Sequence, residues 1–462
     1  MQVSPIVIAI ALAVRQRGGR ALVVGGAVRD ALLGEASSDC DLEVYGLSLD
    51  ELLSALTAFG RLDLVGSDFG VIKLTDVEGA THDVAIPRAE RKTGAGHRGF
   101  SVACDPHLPP AQAALRRDFT INAMSWDPLT EELLDFHGGV VDLRARVLRQ
   151  VSSQFGEDPL RILRGLQFAG RFGLTLHPAT ATSCAALVGD LPTLPIERVT
   201  EEWMKWATRV QHADTFVPYL RASGLLLAYP EIAALEGVPQ EPEWHPEGDV
   251  LTHTGHVLSA AVAVADRDGV VGEARAVLMF AALTHDFGKA ATTTRALKHG
   301  RWCTVSPGHE RLSSELASEF LQRLGVKQSL RVRVARLVAN HLGHLQANSA
   351  RALRRLAIRL QPASVQELLR LIEADTSGRP PRPTGIPPSA VRLREWAEQA
   401  GVINAPPPAL LQGRHLLAHG WKPSPRFGVV LREAYEAQLE GAFTVETAQA
   451  WLANRLERLA QR

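Results

Sequence analysis

The sequence has little cysteine: Cys40, Cys104, Cys184 and Cys303 are the only four in 462 residues, and no two form a CxxC pair. That spacing argues against a disulfide framework, a zinc knuckle and a redox dithiol, and it fits a reducing, cytoplasmic setting. Net charge is missing too, with fifty basic residues balanced by fifty acidic ones. The chain therefore lacks the bulk cationic footprint of a general nucleic-acid coat protein, and any RNA contact has to be local. Candidate local patches are Arg88 to Arg98, Arg116 with Arg117, Arg144 to Arg149, Arg161 to Arg171 and Arg331 to Arg336. No apolar run is long enough to span a bilayer. The stretch from Ile6 to Val14 is short, has no basic flank before it, and is followed by Arg15, Arg17 and Arg20, so it reads as the buried face of a first helix. No membrane partner is expected. An internal repeat of about 20–50 residues is also absent, which disfavours a solenoid.

What remains is a chain long and apolar enough, at 46% hydrophobic, to bury more than one core. Up to about residue 150, short β-rich runs (ALVV, DLEVYG, GVIKLTD, THDVAI) alternate with helical stretches such as SLDELLSALTAFG. From Asp158 onward apolar residues recur at three- and four-residue spacing and strands nearly vanish, as in PLRILRGLQFAGRF and IERVTEEWMKWATRV. Two proline-rich breaks, Arg379 to Ala390 and Ala405 to Pro408, read as linkers or long loops. The expected fold is α+β: a small mixed α/β head (1–150), then an all-helical neck (151–240), a helical body (241–380) and a helical C-terminal region (381–462).

Within the head, ALVVGGAVRDALLGEASSDCDLEVYG reads as strand, glycine turn, helix and second strand. Gly25 and Gly26 let backbone amides approach a phosphate, and the helix behind them directs its positive end there. Asp39 and Asp41, at i and i+2 on a strand, point to one face and together can hold divalent cations, an arrangement suited to phosphoryl transfer. Further along, Pro159 suits a first helical turn and puts Asp158 and Arg161 on one helix face. An Asp acceptor beside an Arg donor matches the amine-and-ring-nitrogen edge shared by cytosine and adenine and rejects guanine and uracil.

GGAVRD followed by DCD resembles the signature of the superfamily that contains tRNA nucleotidyltransferases and bacterial poly(A) polymerases. RRDFTINA (Arg116 to Ala123), GEDPLRILRGLQFAGRF (Gly156 to Phe172) and LPIERVTEEWMK (Leu194 to Lys205) resemble its next motifs, in order. The resemblance implies that Asp39 and Asp41 are catalytic and bind Mg, with Asp83 in a supporting part. It implies nucleotide contacts from Gly26, Arg29, Arg116, Arg117, Asp118, Asp158, Arg161 and Arg164. Of these, Arg117 and Asp118 are candidates for the ribose 2′-hydroxyl and Arg116 lies nearer phosphate, while Asn122, Glu197 and Arg198 are expected to be structural. The stretch around Gly94, Gly96 and Gly99 resembles the flexible loop of enzymes that add the terminal A.

In the body, His253, the adjacent His285 and Asp286, His309, His341 and Asp375 form an ordered series of potential ligands on a helical background. Imidazoles and carboxylates suit a transition metal such as Ni, Mn, Fe or Zn, or Mg, and a bridging Asp can hold one or two ions. The set resembles the HD phosphohydrolase superfamily, and EWHPEGDVLTHTGHV resembles the start of the HD domain in CCA-adding enzymes of the gammaproteobacterial type. That implies phosphatase and 2′-phosphodiesterase or 2′,3′-cyclic phosphodiesterase activity. His256 and His344 stand as alternates outside the core set.

The expected partners are therefore CTP, ATP and the tRNA 3′ end, and not DNA. A-only addition or poly(A) synthesis uses the same head motifs, and an HD hydrolase with an inactive head is the alternative from another class.

Overall fold

The computed structural model describes residues 1–35, 40–65, 70–92, 100–347 and 349–460. Asp39 and the glycines Gly94, Gly96 and Gly99 lie outside the described residues. The chain divides into two compact units, Met1–Pro230 and Glu231–Arg462.

The first unit has eleven strands among the described residues, a short parallel pair, Val147–Leu148 with Thr175–Leu176, and nine in the head: β1 (Arg20–Val24), β2 (Asp41–Tyr45), β3 (Gly60–Val65), β4 (Val71–Asp76), β5 (Thr81–Ala85), β6 (Arg88–Lys92), β7 (Phe100–Cys104), β8 (Ser125–Trp126) and β9 (Leu133–Leu134). Seven make one sheet in the order β3-β4-β5-β2-β1-β8-β9, and β6 pairs with β7 separately. Within the sheet only β2 and β5 run parallel, with Leu42 opposite Val84 and Glu43 opposite Ala85. Alternation along the strands sends Leu42, Val44, Ile72, Leu74 and Val84 into the core and places Asp41, Glu43 and Asp83 on the other face. The first helix, Pro5–Gln16, buries Val7, Ile10, Ala11 and Val14, as the Ile6 to Val14 run suggests. Strand β3 and the β6–β7 hairpin go beyond the four strands expected, since GRLDLV and RAERK carry charges that mask their alternation.

Helix Leu160–Phe172 forms the floor of the site and stops at Gly173, which adopts φ +66°. Gly165 in its middle is dictated by packing: a Cβ there would fall 2.1 Å from the Tyr219 hydroxyl, which donates to the Ile162 carbonyl at 2.8 Å. Helix Ile196–Arg209 packs alongside and buries Trp203 and Trp206.

The second unit is helical apart from one hairpin, Thr294–Lys298 with Arg301–Val305, which the helical pattern of the sequence does not reveal. Helices Val250–Arg267 and Val365–Ser377 pack together at its centre. The first proline-rich break is partly ordered, because Pro388 opens helix Pro388–Gln399, where a proline costs no hydrogen bond. In the second, Pro407 and Pro408 lie outside helices and strands, and their carbonyls accept from Tyr435 and Gln438. Beyond it, Leu416, Val430, Phe443, Leu452 and Leu456 close a small core. No helix among the described residues is long and apolar enough to cross a membrane.

Candidate nucleotide cleft and candidate metal centre

The glycine turn after β1 and helices Leu160–Phe172 and Ile196–Arg209 surround a cleft of about 740 Å³ lined by nine basic and five acidic side chains. That excess of positive charge suits a polyphosphate. Gly26, Arg29 and Asp41 line it from the sheet side; Arg116, Arg117 and Asp118 from the segment before β8; Asp158, Arg161 and Arg164 from the helix floor. Every described residue expected at the nucleotide is thus gathered in one place. Gly25 needs its freedom here, with φ +75° and a Cβ position 3.1 Å from the Arg117 guanidinium. A smaller cleft of about 260 Å³ adjoins the same residues and adds Glu43, Asp83 and Arg88 to Asp41, Arg116 and Arg117.

The side chains are held by a buried polar network. Asp118 accepts from the Phe119 amide (2.7 Å), Asn122 Nδ2 (3.0 Å) and Arg164 Nε (2.7 Å). Burial works against its charge, but Arg164, Asn122 and the amide hold its carboxyl below the ordinary range. Asn122 also accepts from Arg29, which chelates Asp30 at 2.8 and 2.6 Å and lies 4.5 Å from the Phe172 ring centroid. Arg29 is therefore engaged inside the protein even though it lines the cleft, and burial lowers its pKa.

The expected common helix face for Asp158 and Arg161 needs correction. The helix begins at Leu160, and Asp158 precedes it in an extended conformation, accepting from the Leu160 amide at 3.0 Å. Its other oxygen takes Arg198 at 2.7 Å, in keeping with a bracing role for Arg198. Arg161 turns to two backbone carbonyls, of Gln154 (2.7 Å) and Arg116 (2.5 Å). The two side chains share the cleft but not a helix face, because the extended backbone at Asp158 leaves it outside the helix that carries Arg161.

Glu43 joins the site without having stood out among the sequence candidates. It is 2% exposed, accepts Arg116 at 2.8 Å and the Tyr45 hydroxyl at 2.8 Å, and lies 3.4 Å from Arg117. Its signal was available, since it continues the Asp39, Asp41 spacing by two residues along the same strand.

In the second unit the six expected ligands converge. His253 lies in helix Val250–Arg267, His285 and Asp286 follow helix Gly272–Thr284, His309 opens helix His309–Arg323, His341 follows helix Gln328–Ala339, and Asp375 lies in helix Val365–Ser377. Two trios, His253, His285, Asp375 and Asp286, His309, His341, each bring their ligand atoms within 4.8 Å of one another, and all six residues are buried. Asp286 links them, with its carboxylate 3.1 Å from His285 Nε2, 3.6 Å from His253 Nε2 and 3.4 Å from His309 Nε2.

The orientation of the imidazoles tests whether the set fits a cation. His285, His309 and His341 each place Nδ1 on the carbonyl three residues earlier, at 2.9, 2.7 and 2.8 Å, turning Nε2 inward. His253, inside a helix, instead meets the Glu247 carboxylate at 2.8 Å and the Gly378 carbonyl at 3.2 Å. Nε2 of His253 and His285 and both oxygens of Asp286 are buried and make no well-aligned hydrogen bond, although Lys289 Nζ comes within 2.8 Å of Asp286 and Asp375 within 3.1 Å of His253 Nε2. Inward-facing orphan nitrogens and carboxylate oxygens backed by carbonyls and a carboxylate are what a bound transition metal requires. Burial pushes His341 down to about 3, so it is neutral and ready to ligate.

Glu247 and His245, 2.9 Å apart, extend the centre outward, while Lys289 Nζ at 2.8 Å from Asp286 and Arg379 at 2.7 Å from Asp375 add positive charge. Their signals in the sequence were the HPE triplet, the i+3 lysine after His-Asp and the i+4 arginine after Asp375. His256 is exposed and His344 half-buried, and neither joins the trios.

Cleft and cluster together define a nucleotidyltransferase head joined to an HD domain. The poly A polymerase head domain model matches residues 21–149, and the HD domain model matches residues 250–376. A multifunctional CCA protein of Xanthomonas oryzae pv. oryzae is 35% identical over 431 residues, covering 91% of this chain and 98% of the relative. One from Burkholderia pseudomallei is 36% identical over 398 residues, covering 83% and 91%. The chain belongs to the multifunctional CCA protein family. Among solved structures it is similar in fold to the Bacillus stearothermophilus CCA-adding enzyme in complex with CTP, at TM-score 0.62 and 19% identity over 99% of this chain and 100% of that one. The Thermotoga maritima CCA-adding enzyme complexed with tRNA is similar at TM-score 0.58 and 19% identity, covering 98% and 96%.

Proposed function

We propose that the head adds CCA stepwise to tRNA 3′ ends from CTP and ATP, in the cytoplasm, and that the HD domain hydrolyses phosphate and 2′,3′-cyclic phosphate at damaged tRNA ends. The observation that carries the first half is the gathering of Asp41, Arg116, Arg117, Asp118, Asp158, Arg161 and Arg164 around one positively charged cleft. Asp39 and Asp41 are the residues to hold Mg, which supplies activation of the attacking hydroxyl and charge for the leaving pyrophosphate. Arg116, fixed on Glu43, binds the triphosphate, and Arg117 beside it joins Asp118 at the ribose 2′-hydroxyl. Asp118, fixed by Arg164, Asn122 and the Phe119 amide, has about one lone pair left for that hydroxyl. Arg161, anchored on the Gln154 and Arg116 carbonyls, lines the same cleft as Asp158, where the two can meet a base edge.

For the second half, His253, His285, Asp286, His309, His341 and Asp375 are the residues to hold one or two transition-metal ions, which supply an activated water. Lys289 and Arg379 bind the phosphate that the water attacks.

Asp41→Ala abolishes CTP and ATP incorporation on this reading, and retained incorporation sinks the assigned metal role. Asp286→Ala, in the same preparation, abolishes cyclic-phosphate hydrolysis and leaves nucleotide addition intact. Loss of both activities, or of neither, contradicts two separate sites.

A further inference from the structure

The hairpin Thr294–Lys298 and Arg301–Val305 stands out in an otherwise helical unit. Its turn is two residues, His299 and Gly300, both at positive φ (49° and 76°), the geometry that best matches strand twist and makes a stiff ribbon. Over 294–305 it carries Arg295, Lys298, His299 and Arg301 and no acid at all. Ala296 and Cys303 occupy one face, where Arg301 pairs with Glu243 at 2.7 Å and the Thr304 amide bonds Glu241 at 2.8 Å, fastening the ribbon to the protein. The other face presents Leu297 opposite Trp302, 61% and 59% exposed, with the Arg295 guanidinium 5.8 Å from the Trp302 ring.

A large aromatic left in water beside a cation is costly unless something covers it. The place where the ribbon is rooted says what does. One strand follows Lys289, which touches Asp286; the other runs into Ser306, whose carbonyl accepts from His309 Nδ1 at 2.7 Å. Thr293 and Ser306 join the two ends by a hydroxyl bond of 2.8 Å. The hairpin thus springs from the HD centre itself, and five residues per strand carry its surface about 17 Å outward. An exposed aromatic with an arginine beside it on the same face, on a ribbon that carries no carboxylate, matches the two demands of single-stranded RNA, a surface for stacking and positive charge for the backbone.

We propose that this hairpin holds single-stranded RNA for the HD site: a base on the 5′ side of the reacting terminal nucleotide stacks on Trp302, and Arg295 beside it meets the backbone phosphate. The proposal rests on the phosphohydrolase reading of the HD centre and adds the element that makes it favour an RNA end over a free nucleotide. A mononucleotide has no preceding base and gains nothing from Trp302.

The test is steady-state hydrolysis by the full-length, metal-loaded protein, without CTP or ATP, of a short RNA ending in 2′,3′-cyclic phosphate and of 2′,3′-cyclic CMP. The expected result is that Trp302→Ala raises KM for the RNA about tenfold or more, the loss of one base stack, leaves the mononucleotide unchanged, and is rescued by Trp302→Phe. Added salt weakens the RNA preference further. An RNA KM untouched by Trp302→Ala, with mononucleotide hydrolysis intact, overturns the inference alone and assigns the face to a protein contact. Absence of hydrolysis of both substrates by the unaltered protein overturns the phosphohydrolase reading and the inference with it.

Discussion

Replacing Glu43 by glutamine keeps the shape of the side chain and removes the negative charge between Arg116 and Arg117. The glutamine carbonyl can still accept from Arg116, and its amide can face the Tyr45 hydroxyl, but that amide then confronts the N–H groups of Arg117. Truncating one partner of a buried ion pair costs about 3–5 kcal/mol. Arg116 and Arg117 keep 20% and 14% of their side-chain exposure, so water relieves part of this, and we expect about 2–3 kcal/mol. For a unit of this size that lowers the melting temperature by roughly 4–12 °C. Burial opposes the Glu43 charge, yet Arg117 and Arg116 hold its carboxyl below the usual range. The stability it contributes is therefore present above pH ~4.5 and fades as pH falls through the depressed folded value. Calorimetry at pH 7 and at pH 4 reads both effects, and the variant should approach the unaltered protein at the lower pH. The loosened arginines should also raise KM for ATP and CTP about tenfold, with a smaller change in kcat. A melting temperature within 1–2 °C at pH 7 together with an unchanged KM refutes the argument.

Three further predictions concern the second unit. Glu247→Gln weakens the backing of His253 and lowers metal affinity by about 10–100-fold, read by competition with a chelator; unchanged affinity assigns Glu247 to the fold alone. Gly288→Ala places a Cβ 2.4 Å from the backbone carbonyl of His309, a clash that no side-chain rotation relieves. It should cost about 1–3 kcal/mol and reduce metal content in the purified protein, whereas Gly248→Ala serves only to read the cost of a positive φ in open space. Burial holds His245 near 4 and His341 near 3, so in the metal-free protein both stay neutral while their unfolded counterparts protonate below pH ~6.5. Each then withdraws up to about 1.4 kcal/mol per pH unit as pH falls from 6.5 toward its folded value. Metal-free protein should lose stability steeply over that range, and a flat profile contradicts neutral burial.

Much of the architecture was legible because its signals are local. Alternating apolar strands, the Gly25–Gly26 turn and the three- and four-residue periodicity of Leu160–Phe172 each fix an element without outside help. The six candidate HD ligands could be picked out because an adjacent His285-Asp286 pair, with histidines upstream and downstream on a helical background, is a pattern that packing alone does not call for. What escaped depends on distant partners. Glu43 looks like one more charge on a strand until Arg116 and Arg117, more than seventy residues later, close on it. Asp158 and Arg161 satisfied a helical spacing that the cap at Leu160 breaks. Glu247 is a routine loop acid until the fold puts it behind His253, and the Thr294–Val305 hairpin hides because its exposed face has no core to impose an apolar alternation.

On the proposed function one cleft adds both C and A and then stops. Purified protein incubated with Mg, labelled CTP and ATP, and tRNA ending at the discriminator base decides this. The expected product is a ladder of C, CC and CCA that ends at A. Addition of A only to tRNA already ending in CC, or an A tail that grows without limit, contradicts it.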